Sequence, residues 1–184
     1  MCIRDSIQAA TAWAREQGLG THLDGARVFN AAVASGKPLA DLCQPFDSVS
    51  ICFSKGLGAP VGSVLVGSQE LIERARRWRK MLGGGLRQSG VLAAACLYAL
   101  EHNVERLADD HENARALAEG LRGIAGVKVL SQDTNMLFVE FEPARCEALT
   151  AALAKDDIQM RAVYGGPTRL VTHLDVSADD AVSY

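Results

Sequence analysis

No stretch of this sequence is long and apolar enough to suggest a membrane span: the longest apolar run, Val91 to Leu100, is about half of the roughly 20 residues that a spanning helix needs. The opening MCIRDS has neither a basic region nor an apolar stretch, so no secretory signal is expected. The five cysteines (Cys2, Cys43, Cys52, Cys96, Cys146) stand at irregular spacing, with no CxxC pair and no neighbouring histidine. That pattern argues against zinc and a disulfide framework, and for free thiols in a reducing cytoplasm. A net charge of -3 gives no long-range field to draw in nucleic acid or an anionic membrane. What remains is a cytoplasmic protein with a small-molecule or protein partner and no metal.

With 184 residues, 48% hydrophobic and 22% charged, the chain has the balance of an ordinary globular protein and can bury a sizeable core, as one domain or two small ones. Both ends look cut. MCIRDS runs into what reads as the middle of a helix, and SADDAVSY starts a helix at Ser177 and stops within about two turns. Residues 1–6 are therefore read as extraneous sequence, and the chain as a fragment of a longer gene.

Helical spacing covers 7–17 and stops at Gly18, a usual C-cap residue. A short strand Thr21–Leu23 follows, then Asp24-Gly25 turns into a helix through Ala31–Ala34. From Phe46 to Phe53 apolar Val49, Ile51 and Phe53 alternate with small Ser48, Ser50 and Cys52, the period of a strand. Residues 61–66 form another β-rich run. Helices are expected at 68–80 and 89–101, separated by Gly83–Gly85, and at 103–122, where Val104, Leu107, Ala114, Leu117 and Leu121 share a face. Then come strands at 127–130 and 135–141, a helix at 143–155, and strands at 158–163 and 169–174.

This order predicts an α/β protein. Its first part is a doubly wound, mostly parallel sheet, and a small α+β domain follows a soft boundary near residue 103. Ligands in such sheets sit at the carboxyl ends of strands, where Asp24 and Lys55 are both expected.

On residue type alone, Lys55 is a solvated loop lysine and Asp24 a turn or N-cap aspartate. Taken together they suggest more. Lys55 stands in SKGLGAP, just after a strand and before glycines that let a bulky ligand approach the backbone; a lysine there can form a Schiff base. Pyridoxal phosphate chemistry also needs a carboxylate at the pyridine nitrogen, because the protonated ring is the electron sink. Asp24, about 30 residues upstream, suits that position.

The strings HLDGARVFNA (22–31), SKGLGAPVGSVLVG (54–67), RWRKMLGGGLRQSG (77–90), QDTNMLF (132–138) and RLVTHLD (169–175) are similar to those of bacterial low-specificity L-threonine aldolases. The similarity runs in register from about residue 7 to the end. It implies the fold type I of pyridoxal-phosphate enzymes, with 7–102 as the C-terminal part of the cofactor-binding large domain and 103–184 as a small C-terminal domain, truncated at its end. It further implies cleavage of L-threonine or L-allo-threonine to glycine and acetaldehyde by a homo-oligomer, dimer or tetramer, when full length. Asp24 would pair with the pyridine nitrogen, Lys55 would hold the cofactor, and Arg27 would lie near its 3-hydroxyl and the substrate carboxylate. Arg87 would help bind the phosphate, and Arg169 would clamp the α-carboxylate with its two-pronged fork. The phosphate loop, the ring-stacking histidine, the general base and the threo/allo preference have no candidate in 1–184; the resemblance implies that the family's N-terminal half supplies them. The 184 residues alone are expected to be inactive.

Without that context Arg27, Arg87 and Arg169 are surface arginines, and the run RARRWRK (74–80) is a solvated helix face at a subunit boundary rather than a nucleic-acid site. Lys80 within it matches a family lysine and is kept as a neighbour of the active site. His22 is read as a packing or supporting residue, on the expectation that it points away from Asp24. His102 and His111 read as exposed helix residues, and His173, four after Arg169 on one strand face, is kept as a pocket neighbour. Two other readings remain: another fold type I enzyme, such as a β-eliminating lyase or aminotransferase, and a non-catalytic binding or assembly module.

Overall fold

A computed structural model describes residues 3–160 and 166–182. The chain forms two compact units, Met1–Glu105 and Arg106–Tyr184. Among the described residues no helix is long and apolar enough to cross a membrane.

The first unit begins with helix α1 (Ile3–Glu16), which takes in residues 3–6. Strand β1 (His22–Gly25) is followed by helices α2 (Val28–Ser35) and α3 (Leu39–Cys43), and these form the crossover to strand β2 (Ser48–Cys52). A helical crossover lets two strands pair in parallel, and they do, in the register His22↔Ser48, Asp24↔Ser50. Strand β3 (Ser63–Gly67) runs antiparallel to β2, which makes this sheet mixed. The connection from Cys52 to Ser63 contains no helix, so it can reverse the chain but cannot carry it back to the starting edge.

The glycine after Asp24 is dictated by this pairing. A Cβ at Gly25 would lie 2.8 Å from the Ser50 carbonyl oxygen and 3.0 Å from Val49 Cγ1, so β1 lies against β2 only because that side chain is missing. At the other end of the pair, the Thr21 backbone N–H and hydroxyl donate to Asp47 Oδ2 (2.7 and 2.9 Å). The backbone bond above all, then the hydroxyl, holds the Asp47 carboxyl below its usual range.

Helix α4 (Gln69–Met81) starts at Ser68, whose hydroxyl accepts the Leu71 N–H and satisfies one of the first-turn donors. Helix α5 (Gly90–His102) is apolar almost all round yet buries only Ala99. With Val64, Leu65 and Val66 of β3, its Val91, Leu97 and Tyr98 stand exposed. Val64 and Val66 point to one side of the sheet and Leu65 to the other.

The second unit is a three-stranded antiparallel sheet, β4 (Val127–Asp133), β5 (Met136–Phe141) and β6 (Thr168–Val171), in that order. Helix α6 (Leu107–Arg122) lies against it, and Ala114 and Ala118 of the helix meet Leu137 and Val139 of β5 in the core. Alanines there let the helix approach closely. The expected helix over 103–122 starts only at Leu107, so Val104 is not on its face; residues 103–106 form a bend and a turn instead. Helices α7 (Cys146–Leu153) and α8 (Ala178–Val182) complete the unit, with short 3-10 turns at Pro143–Arg145 and Ala154–Asp156.

Ile158–Met160 form no strand, and the rest of the expected strand 158–163 falls outside the described residues. Strand β6 ends at Val171 rather than 174. His173 therefore lies past the strand and shares no strand face with Arg169; it is exposed, with its Nδ1 accepting the Asp175 N–H at 3.3 Å. His102 is exposed as expected, stacked on Tyr98 at 4.1 Å. His111 is half-buried instead, and burial pushes its pKa down against the pull of Asp110.

Candidate active site

Asp24 is the third residue of β1 and pairs with Ser50, so it lies within the last turnings of the strand rather than past its end. Its Oδ1 accepts the Ala26 N–H at 3.1 Å, which fixes the carboxylate over the entry to α2. Side chains two apart on a strand share a face. His22 therefore stands on the same face as Asp24, with its Nδ1 2.8 Å from Ser48 Oγ, and the expectation that it points away is corrected. That face carries His22, Asp24, Ser48, Ser50 and Cys52, while Leu23, Val49 and Ile51 occupy the other. A polar row on a parallel pair is unusual, since parallel strands are normally apolar on both sides.

Lys55 follows β2 on a loop that is anchored from beneath. Phe53, Leu57 and Ala59 are buried, Phe53 N–H donates to the Gly62 carbonyl (2.9 Å), and Ala59 N–H donates to the Phe53 carbonyl (3.0 Å). The Lys55 carbonyl accepts Gly58 N–H at 2.9 Å, in a turn that needs the left-handed φ of +73° at Gly58. Asn103 Nδ2 donates to the Leu57 carbonyl at 2.8 Å. With its backbone held at these points, the loop presents Lys55 exposed. Sequence reading passes over Asn103, because it counts as an ordinary position in the expected helix over 103–122; its partner is 46 residues away.

Arg27 occupies the N-cap position of α2. Its Nε is buried and has no hydrogen-bond partner. A buried guanidinium donor left unpaired is costly, so the position suits an anionic or hydroxyl oxygen brought by a ligand. Asp24 and Lys55 thus lie near the carboxyl ends of adjacent parallel strands, Asp24 within β1 and Lys55 on the loop after β2, and Arg27 opens the helix after the first of them.

Lys80 and Arg87 belong to a separate stretch of this unit. The triple glycine folds back over the end of α4: a Cβ at Gly85 would lie 2.4 Å from Lys80 Cδ, and one at Gly84 would lie 2.9 Å from Arg79 Cγ. A side chain at either position would have to displace the flexible Lys80 or Arg79 side chain, and Gly83 holds a left-handed φ of +88°. Arg87 is exposed in the bend before α5. Arg169, in the second unit, is exposed on β6 and pairs with Phe138. Cys43, Cys52, Cys96 and Cys146 carry free thiols, and burial raises the Cys43 pKa.

A family model described as beta-eliminating lyase matches residues 2–144. Among curated proteins, the low-specificity L-threonine aldolase of Escherichia coli is 52% identical over 176 residues, covering 96% of this chain and 52% of that protein. The low-specificity L-threonine aldolase 1 of Arabidopsis thaliana is 45% identical over 91% of this chain and 48% of its own length. The chain thus spans about half the length of the curated relatives it matches. A solved Listeria monocytogenes structure, assigned as an L-allo-threonine aldolase, superimposes with a TM-score of 0.84 at 25% identity, over 100% of this chain and 52% of that one. The Leishmania major threonine aldolase structure shares the fold, with a TM-score of 0.76 at 22% identity over 96% of this chain and 53% of its own. These neighbours are fold type I enzymes, and the family's members depend on pyridoxal phosphate. The chain belongs to the beta-eliminating lyase family.

Proposed function

We propose that this chain carries the lysine-bearing part of a low-specificity L-threonine aldolase, which cleaves L-threonine or L-allo-threonine to glycine and acetaldehyde. The observation that carries the reading is the pairing of Asp24 with Ser50, on the strand that leads directly into the Lys55 loop. It brings a carboxylate and an amine to the same end of two adjacent parallel strands, where α/β sheets bind their ligands. The orphaned Arg27 Nε beside them fits a cofactor rich in oxygen.

When bound there, pyridoxal phosphate supplies a protonated ring that accepts the electron pair released as the substrate's Cα–Cβ bond breaks. Lys55 Nζ would be its covalent anchor. Asp24 holds the proton on the ring nitrogen, and Arg27 sets its cation near the 3-hydroxyl and the substrate carboxylate. Arg87 binds the phosphate, with Lys80 close to the site. Arg169 takes the α-carboxylate through two parallel N–H donors. In domain terms, 7–102 is the C-terminal part of a large cofactor-binding domain and 103–184 a small C-terminal one. The exposed apolar side chains of β3 and α5 support assembly as a dimer or tetramer, and the protein works in the cytoplasm.

The full-length polypeptide carrying this chain is expected to release acetaldehyde and glycine in equal amounts from L-threonine or L-allo-threonine. Ammonia and a keto acid instead would identify a β-eliminating enzyme and overturn the aldolase reading. Arg169→Lys keeps the charge but loses the fork, so KM for threonine should rise about tenfold or more while the absorbance of bound cofactor is unchanged. Weakened cofactor binding with unchanged KM would move Arg169 out of the substrate site.

A further inference from the structure

The QDTNMLF stretch belongs to the second unit and has no part in the roles above. It forms the hairpin between β4 and β5, where Asp133 pairs with Met136 across the two residues Thr134 and Asn135. Thr134 takes a φ of +52°, which a β-branched residue rarely adopts. Asn135 is 1% exposed, an uncommon site for a hairpin-tip asparagine. Its Nδ2 donates to the Thr172 carbonyl at 2.8 Å, and its own carbonyl accepts Thr172 N–H at 3.0 Å. Thr172 is 2% exposed, and its hydroxyl donates to the Asp110 carbonyl of α6 at 2.6 Å. Asn135 Oδ1 is buried with no partner.

These bonds begin where the strand ladder stops. The last β5–β6 pair is Met136↔Val171, and among the described residues β6 is an edge strand, hydrogen-bonded on one side only. Beyond Val171 the chain is held by Asn135 from the hairpin tip and by Asp110 from the helix, three residues after Arg169. The arrangement satisfies the Thr172 carbonyl but leaves Asn135 Oδ1 buried without a partner and holds Thr134 at a strained φ. Departures from local preference of this kind concentrate where a functional group must be held in place.

We infer that Asn135 and Thr172 are positioning residues that clamp the end of β6 and so set the reach of Arg169 toward the substrate α-carboxylate. The inference rests on the proposed role of Arg169. A bidentate clamp requires its guanidinium to be placed within a fraction of an ångström, and an edge strand held on one side cannot ensure that by itself.

The test uses the full-length protein loaded with pyridoxal phosphate. Asn135→Leu removes the amide at near-constant volume, Thr172→Val removes the hydroxyl, and Thr172→Ser keeps it. Asn135→Leu and Thr172→Val should raise KM for L-threonine roughly tenfold, leaving cofactor absorbance unchanged and kcat within about twofold, while Thr172→Ser stays near the parent. In the double variant with Arg169→Lys, Asn135→Leu should add almost nothing to KM, because both act through one contact. A fall in Tm with unchanged KM, or additive effects in the double variant, would reduce the clamp to a structural role. If Asn135→Leu does not fold, the Thr172→Val and Thr172→Ser pair decides. If Arg169→Lys itself leaves KM unchanged, the carboxylate role falls and the clamp with it; if Arg169→Lys raises KM and the clamp variants do not, only the clamp falls.

Discussion

Replacing Lys55 with alanine in the full-length protein should abolish threonine cleavage and, with it, the visible absorbance of lysine-bound cofactor. Both losses are expected together because one amine is proposed both to anchor the cofactor and to deliver it to substrate. The fold gives this experiment a clean background. Lys55 is exposed, and its loop is held by Phe53, Leu57 and Ala59 below and by the Asn103 amide on the Leu57 carbonyl. The only Lys55 atom in those bonds is its carbonyl oxygen, which accepts Gly58 N–H and is kept by alanine. Melting temperature without cofactor should therefore stay within a degree or two of the parent. Turnover of even a few per cent of the parent's, measured as acetaldehyde release, would remove Lys55 from the mechanism. A large fall in melting temperature would show that the loop depends on the side chain.

Strand β2 was legible because its alternation of apolar and small residues is the strand period itself, and the glycine-rich loop after it follows from the residues it contains. The orientation of β3 was not legible from its apolar run, which gives a strand but no direction; direction came from the missing crossover helix. Period two also places His22 on the face of Asp24, a consequence of the spacing that the register and the bond to Ser48 make plain. His173 illustrates the opposite limit, since a face shared with Arg169 holds only as far as the strand runs, and β6 stops at Val171. Asn135 and Asn103 were illegible for one reason: asparagine reads locally as a turn or helix-end residue, whereas here each amide serves a carbonyl far away in sequence, 37 residues from Asn135 and 46 from Asn103. Arg27 looked like a surface residue because no pattern in the sequence indicates that one nitrogen of a half-exposed side chain is sealed off.

Asp24→Asn should leave cofactor attached through Lys55 but slow cleavage by about 10²–10³-fold in kcat, the usual cost of losing one preorganised electrostatic partner, or roughly 3–4 kcal/mol of barrier. An amide oxygen can still accept Ala26 N–H, the bond that Asp24 Oδ1 makes at 3.1 Å, and asparagine is at home in such a turn. The entry to α2 and the Arg27 backbone are thereby preserved, so a loss of rate cannot be assigned to misfolding. In the proposed role, what changes is the charge that would face the ring nitrogen: a neutral amide would not hold a proton there, and the ring would lose much of its power to take up the electron pair from Cα–Cβ cleavage. KM should move little, because the substrate's carboxylate and amine meet other groups. Asp24→Glu keeps the charge on a longer arm and should recover part of the rate, provided its carboxylate reaches the nitrogen. Unchanged kcat in Asp24→Asn, with normal cofactor absorbance, would show that Asp24 is only the turn residue its bond to Ala26 already makes it, and that the ring's partner lies elsewhere.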